Sequence, residues 1–344
     1  MREGTKHALR PWVRWKGLEA PREGYSIVLG VPWALRHLLA VNLRFVAAQE
    51  REGLDRVFVV FDRPAQEAGD AFIAATVEAF PELPLDLRFQ PRPAADLVHR
   101  VGRSKFYASL NWVTGLAHCE TRHAVLHDFD LFPVQPDFFR RIHRSLRERG
   151  LRFSGAEHTR FDGLTERDAL IGTWELGIDV AWLRANHRAI DCFHKWAHVG
   201  GRLVDLDAFS WIQSRTAERA LADGVSEDSF VHVKNLCSTY LRVSQGQPAQ
   251  VAWRLHSLWY LESLVGETGG LDALSARMDA AAGPALTVRA MTHDFSDVHV
   301  TCANVLEHEV ERMEAALHGA TRPEAARFVA STRRFLERHG RRED

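Results

Sequence analysis

Apolar and polar positions follow a repeating strand–helix rhythm over the first 130 residues. Short runs of β-branched and aromatic residues, typical of buried strands, occur at 26–31, 56–62, 85–90 and 123–132. Segments with apolar residues at helical spacing separate them, at 35–50, 65–80 and 105–119. A run as apolar as RVFVVFD (56–62) is typical of a strand covered on both faces. The rhythm predicts an α/β fold, a doubly wound sheet with helices on both faces and right-handed crossovers.

Beyond residue 133 the pattern is less regular. It predicts helices at 136–148, 184–198 and 205–222, and strands at 151–158, 173–183, 240–244 and 250–261. VHVKN (231–235) is compatible with either a helix or a strand. Three amphipathic helices are predicted near the end of the chain, at 271–282, 303–320 and 323–340.

The same pattern suggests a division of the chain into three parts. Residues 1–24 are polar and are expected to form a flexible N-terminal arm, and 25–265 carry the strand–helix domain. The glycine-rich segment GETGG (266–270) marks a boundary, because glycines interrupt regular elements. Residues 266–344 then form a helical C-terminal extension.

Composition excludes several classes of function. The chain has 344 residues, 44 basic against 45 acidic, and a net charge of −1, which provides no field for a nucleic acid. Its four cysteines are widely spaced, so neither a disulfide scaffold nor a cysteine-based zinc site is expected. The first residues lack the apolar core of a signal peptide, and no window is apolar enough to span a membrane. We therefore expect a soluble, cytoplasmic protein.

The most specific chemical feature is the pair of acids in AVLHDFDLFPV (124–134). Side chains two apart on a strand lie on the same face, so Asp128 and Asp130 would stand together and repel each other. A cation between them removes that repulsion, and carboxylate oxygens favour Mg²⁺ or Mn²⁺. In open α/β sheets, ligands bind beyond the carboxyl ends of the strands, which is where this pair occurs. The alternative is a solvated pair at the junction of a strand and a loop.

Three or four βα units followed by an apolar strand that ends in Asp-x-Asp resemble the GT-A type of nucleotide-diphospho-sugar glycosyltransferases. The resemblance covers about residues 25–260, and it implies a Rossmann-like mixed sheet with a nucleotide-binding half (25–134) and an acceptor half (135–265). It also implies that Asp128 and Asp130 bind a Mn²⁺ or Mg²⁺ ion, which in turn holds the diphosphate of a nucleotide-sugar donor. UDP is the nucleotide that metal-dependent members commonly use.

The resemblance further implies contacts with the donor. The end of the first strand, Val31 and Pro32, would contact the base or ribose, and Asp62 after the second strand would meet the base. Arg103 and Lys105 would contact the phosphates or the sugar. From the residues alone, Asp62 also fits a turn-forming acid before Arg63-Pro64, and Lys105 fits a surface lysine at a helix start.

Several acids compete for the role of general base towards the acceptor hydroxyl. In inverting members of the family, a Glu-Asp pair at this distance from the motif opens a helix, which implies Glu227 and Asp228. Ser226-Glu227-Asp228 is equally well a helix N-terminus, with serine as the cap and acids in the first turn. Asp205-x-Asp207 resembles a segment of retaining members. Glu175 and Asp179 lie where many members place groups that contact the acceptor or the sugar.

Members with a third protein ligand for the metal often use a histidine far downstream. The first choice is His256 in WRLHSLWYL, and the second is His232. With 18 histidines in the chain, either one is equally compatible with a place in the core or on the surface. The aromatic residues around His256 could stack on a sugar or pack in the core (Trp253, Trp259 and Tyr260). HDFSD (293–297) has no assignment.

The sequence therefore predicts a metal-dependent glycosyltransferase that moves a sugar, in the manner of a hexosyltransferase, from a UDP-sugar to an unidentified acceptor. One alternative is a non-catalytic sugar-nucleotide-binding protein of the same fold. The other is a haloacid-dehalogenase-like phosphatase, whose Asp-x-Asp is also preceded by an apolar strand. That family expects Thr or Val two residues after the second Asp, where this chain has Phe132.

Overall fold

The computed structural model describes residues 7–101, 104–159, 169–247, 249, 251–266, 270–288 and 291–342. Contacts divide the chain into two compact units. The first contains residues 1–33, 49–129 and 136–229. The second contains residues 34–48, 130–135 and 230–344. The second unit therefore gathers two short early segments with the C-terminal third of the chain, whereas the sequence suggested a boundary near residue 266.

The strands are, in chain order, β1 (Arg22–Val31), β2 (Leu54–Phe61), β3 (Leu85–Phe89), β4 (Thr121–His127), β5 (Leu131–Pro133), β6 (Phe153–Gly155), β7 (His158–Thr159), β8 (Leu170–Ile171), β9 (Glu175–Asp179), β10 (Lys195–Val199), β11 (Arg202–Leu206), β12 (Arg219–Leu221), β13 (Phe230–His232), β14 (Ala285–Val288) and β15 (Met291–Asp294). Seven of them form the sheet of the first unit, in the order β12-β6-β9-β4-β1-β2-β3. The others pair two by two: β10 with β11, β5 with β13, β14 with β15, and β7 with β8.

The α-helices are α1 (Leu39–Ala47), α2 (Ala65–Ala68), α3 (Asp70–Ala79), α4 (Arg92–Val101), α5 (Ser104–His118), α6 (Phe138–Arg149), α7 (Val180–Asn186), α8 (Ser210–Gln213), α9 (Leu236–Ser244), α10 (Arg254–Ser263), α11 (Leu271–Ala280), α12 (Cys302–His318) and α13 (Pro323–His339). Short 3₁₀ turns occur at Trp33–Leu38, Ala189–Cys192 and Glu227–Ser229. None of the helices in the described part of the chain combines the length and the apolar character that crossing a membrane would require.

The seven-stranded sheet is mixed, as predicted. Strand β1 pairs in parallel with both β2 and β4, and β2 pairs in parallel with β3. Strand β9 runs antiparallel to both of its neighbours, β4 and β6. Because the chain moves outward from β1 to β3 and then returns to place β4 on the other side of β1, the strand order reverses between β1 and β4. That reversal is the position in a doubly wound sheet where ligands bind.

The N-terminal arm is not loose where the structure describes it. Leu9 and Val13 are buried in the core of the first unit, beside residues of β1 and α5. Burying each large apolar side chain contributes about 1.5–3 kcal/mol. The polar composition of residues 1–24 concealed these two apolar positions, which lie four apart on one helical turn.

Most of the predicted elements of the first 150 residues and the last 75 are confirmed. The predictions for the middle of the chain are wrong in four places. The helix predicted at 184–198 ends at Asn186, and the helix predicted at 205–222 contains β11, the four-residue α8 and β12. The strands predicted at 240–244 and 250–261 are instead the helices α9 and α10. The predicted strand at 123–132 is two strands, β4 and β5, separated by the residues of the acidic motif.

Candidate active site

The acidic motif lies in a turn directly after β4, rather than on the strand. The backbone N–H of Asp128 donates to the carbonyl oxygen of Trp174 at 2.9 Å, and the N–H of Phe129 donates to Asp128 Oδ1 at 3.0 Å. The Phe129 side chain is buried. The two acids therefore come together in a turn, and not through the alternation of side chains along a strand.

Asp130 meets a histidine from a distant part of the sequence. Strand β5 pairs antiparallel with β13, and Leu131 lies opposite His232 in that register. The N–H of Val233 donates to the Asp130 carbonyl oxygen at 2.9 Å. His232 Nε2 lies 3.7 Å from Asp130 Oδ1, and both side chains are about nine-tenths buried. This small two-stranded sheet therefore brings an imidazole to the acidic motif.

Asp128, Asp130 and His232 together form a group with the composition of a metal site. Each offers one ligand atom, and these atoms lie within 4.8 Å of one another. Two carboxylates and one imidazole suit a divalent ion such as Mn²⁺, which accepts both oxygen and nitrogen ligands. The donor set therefore fits the ion that the sequence predicted, with His232 as the histidine.

The loops after β1 and β2 place the predicted base-binding residues side by side. Val31 ends β1 opposite Phe61, which ends β2. The N–H of Trp33 donates to Asp62 Oδ1 at 2.7 Å. Burial raises the pKa of the Asp62 carboxyl to about 6, although this hydrogen bond lowers it. Val31 is fully buried, so it offers a ligand only its backbone, whereas Pro32 is half-buried.

The two predicted phosphate contacts are described only in part. Arg103 lies outside the described residues, and Lys105 belongs to the first turn of α5. Both roles remain predictions.

Glu175 occupies a different place from the one predicted. It faces His127 across the antiparallel pair of β4 and β9, and its carboxylate hydrogen-bonds His127 Nδ1. Both side chains are completely buried. A carboxylate enclosed in this way cannot reach an acceptor hydroxyl. It lies instead behind the acidic motif, since His127 directly precedes Asp128.

Glu227 and Asp228 lie in a 3₁₀ turn and not at the start of an α-helix. The Ser226 hydroxyl accepts from the N–H of Asp228 at 3.3 Å, and the Ser226 carbonyl accepts from the N–H of Ser229 at 2.9 Å. Both acids are exposed. Of the acids considered for the general base, this pair is accessible, and it precedes β13 and its histidine in the chain.

The remaining acids of the sequence analysis have structural partners. Asp205 lies on β11, where its carboxylate hydrogen-bonds His194 Nε2, and Asp207 Oδ1 accepts from the N–H of Ala208 at 2.8 Å. Asp179 caps α7 by accepting from the N–H of Trp182 at 2.9 Å, and it pairs with Arg152 at 2.5 Å.

His256 is a core residue. It is buried on α10 among aromatic rings of the second unit, with centroids 4.8 Å from Phe295 and 5.2 Å from Trp259. Burial lowers its pKa to about 4. His232, the second choice of the sequence analysis, takes the place next to the acids. Trp259 is buried as well, and the Tyr260 hydroxyl donates to Glu314 Oε1 at 2.8 Å, so these rings pack in the core rather than face a sugar.

Comparison with known proteins finds similar solved structures. No protein-family model and no curated protein matches the chain. The structure resembles Staphylococcus aureus TarS (residues 1–349) in complex with UDP-GlcNAc, with a TM-score of 0.39 and 12% identity over 91% of this chain and 90% of that one. It also resembles the mannosyltransferase PcManGT from Pyrobaculum calidifontis in complex with GDP-Man and Mn²⁺, with a TM-score of 0.40 and 13% identity over 96% and 93%. Likenesses this loose do not transfer a function to the chain.

Sequence reasoning missed the partnership of His127 with Glu175. Both residues could be read from the sequence, but their pairing depends on the antiparallel register of β9, a strand that was predicted without its direction. VHVKN (231–235) fitted either class, and only its pairing with β5 shows that its histidine reaches the motif.

Proposed function

We propose that the protein is a metal-dependent glycosyltransferase that moves a hexose from a nucleoside-diphosphate sugar, a UDP-sugar in particular, to an acceptor hydroxyl. The observation that carries the proposal is the group formed by Asp128, Asp130 and His232. Asp128 directly follows β4, next to the reversal of strand order where open α/β sheets bind ligands. The acidic motif, its position after β4 and the histidine all favour the binding of a divalent metal ion.

Each residue has a role in this proposal. Asp128, Asp130 and His232 hold a divalent ion, and the imidazole nitrogen favours Mn²⁺ over Mg²⁺, which prefers oxygen. When bound, the ion offsets negative charge on the departing diphosphate. Pro32, the Val31 backbone and Asp62 contact the nucleoside. Arg103 and Lys105 contact the phosphates or the sugar.

We place the general base at Asp228, with Glu227 as its alternative, because both are exposed carboxylates. The carboxylate takes the proton of the acceptor hydroxyl. The hydroxyl oxygen then bonds to the anomeric carbon of the sugar, whose bond to the diphosphate oxygen breaks. The products are the glycosylated acceptor and a nucleoside diphosphate.

The test is release of nucleoside diphosphate from a panel of sugar nucleotides, with Mn²⁺ and with EDTA. We expect Mn²⁺-dependent release from one donor, with water as acceptor, and its loss in Asp130→Asn. Asp223→Asn is the matched control, because Asp223 is an exposed acid paired with Arg149. Binding of the donor without any release would instead indicate a non-catalytic binding protein. Hydrolysis of an aryl phosphate that is lost in Asp128→Asn would indicate a phosphatase.

A further inference from the structure

An open cavity of about 700 Å³ lies in the first unit between the N-terminal segment and the loop after α7. Its walls come from Arg10, residues 13–15 and residues 184–191. Leu9 and Val13 hold the N-terminal segment against the core, and Trp15 Nε1 donates to the carbonyl oxygen of His187 at 2.9 Å. The volume is within the range of small-molecule sites, about 300–1,000 Å³.

The cavity is lined by four arginines and one acid. Arg188 engages the acid, Asp191, through two hydrogen bonds of 3.0 and 2.9 Å, so that negative charge is neutralised. Arg184 directs its donors to backbone carbonyls, including those of Lys16 at 2.7 Å and Cys119 at 2.9 Å. These two arginines therefore stabilise the wall of the cavity.

The other two arginines, Arg10 and Arg14, have no acidic partner among the residues that the structure describes. Both are exposed, and they lie four residues apart in the segment that forms one wall of the cavity. Arg14 Nε donates to the carbonyl oxygen of Arg10 at 3.0 Å, which orients this guanidinium and leaves its two terminal nitrogens for a ligand. An anion bound in the cavity would offset the positive charge of both guanidinium groups.

We propose that this cavity binds a compact organic or inorganic phosphate that carries several negative charges and bridges Arg10 and Arg14. Guanidinium groups match phosphate oxygens in pairs of parallel hydrogen bonds. The half-buried ring of Trp15 provides an apolar wall beside them. The site is independent of the acidic motif and needs no metal ion.

The test is calorimetric titration of the full chain with pyrophosphate in EDTA, which removes any metal-dependent binding at the acidic motif. We expect saturable binding that weakens by about tenfold or more in Arg10→Gln/Arg14→Gln, because each charge-assisted hydrogen bond contributes that much. Arg144→Gln/Arg147→Gln is the control, because it removes two exposed arginines from one face of α6 and should leave the affinity unchanged. Both pairs are exposed, and melting temperatures check that the variants fold.

Two results would overturn the proposal: no saturable binding of pyrophosphate, or equal binding by the Arg10→Gln/Arg14→Gln variant. Citrate serves as a second probe, and binding of citrate as tight as that of pyrophosphate would overturn the assignment to phosphate. Asp130→Asn should bind pyrophosphate in EDTA like the unaltered protein. The outcome here is therefore separate from that of the glycosyltransferase proposal.

Discussion

At the scale of single residues, Asp62 shows how burial sets the charge of a group near a proposed ligand site. The residue is only 6% exposed, and the N–H of Trp33 supplies a hydrogen bond that favours the ionised form. Burial outweighs that bond and raises the pKa to about 6. The protonated acid is therefore favoured in the folded state, and stability attributable to this group is present at low pH and lost as pH rises through about 6.

The first prediction follows from the raised pKa of Asp62. Replacing Asp62 by Asn keeps an acceptor for the Trp33 N–H and removes the titration. Relative to the unaltered protein, Asp62→Asn should gain stability between about pH 4 and pH 7, by up to about 3 kcal/mol. Urea unfolding at pH 5 and pH 7.5 measures the change. A variant whose stability difference does not grow with pH would show that Asp62 titrates like an exposed acid.

A second prediction concerns the pair behind the acidic motif. Glu175→Ala removes a buried hydrogen-bond partner of His127, whose side chain is enclosed in the sheet. Breaking a buried pair in this way costs about 3–5 kcal/mol in the free energy of unfolding. Glu175→Gln retains an acceptor oxygen and should cost less than the alanine variant. Urea unfolding of both variants is the measurement, and equal losses would mean that the hydrogen bond to His127 contributes nothing.

At the scale of elements, a single glycine sets how closely α5 packs on the sheet. A Cβ added at Gly115 would lie 2.3 Å from Val28 Cγ1, on the neighbouring face of β1. Val28 is fully buried and β-branched, so its side chain has little freedom to move. The helix and the strand therefore approach each other at a distance that excludes any side chain at this position.

The third prediction uses this contact. Alanine in place of glycine ordinarily stabilises a helix, but Gly115→Ala should lower stability by about 1–3 kcal/mol, because the core is overpacked. Adding Val28→Ala should restore part of the loss. Gly17→Ala is the control, because nothing lies within 4 Å of a Cβ there. Thermal melts of these three variants and the unaltered protein give the comparison, and a neutral Gly115→Ala would contradict this packing.

The elements that could be predicted from the sequence are the ones with a clear period. Strands β1 to β4 are apolar runs, separated by segments whose apolar residues recur at helical spacing. Helices α11, α12 and α13 each have one apolar face. Helix α10 has no such face, because every residue from Arg254 to Glu262 is buried. A segment buried all round has no periodicity, and WRLHSLWYL therefore resembled a strand. His256 lies on this helix and is therefore buried in the core of the second unit.

At the scale of the whole molecule, the candidate site depends on pairings that local sequence does not encode. Strand β13, which is three residues long, pairs with β5 across about 100 residues of chain and brings His232 to Asp130. Residues 34–48 and 130–135 are likewise grouped with the C-terminal third by contacts between segments that are distant in sequence. A glycine-rich segment such as 266–270 can indicate a boundary between consecutive units. A unit formed from separate segments has no such boundary signal in the sequence.

The most direct test of the proposed metal site is calorimetric titration of UDP in the presence of Mn²⁺ and in EDTA. We expect binding that requires Mn²⁺ and weakens by about tenfold or more in Asp130→Asn, while Asp223→Asn binds like the unaltered protein. UDP that binds equally well in EDTA, or an Asp130→Asn variant with unchanged affinity, would contradict it.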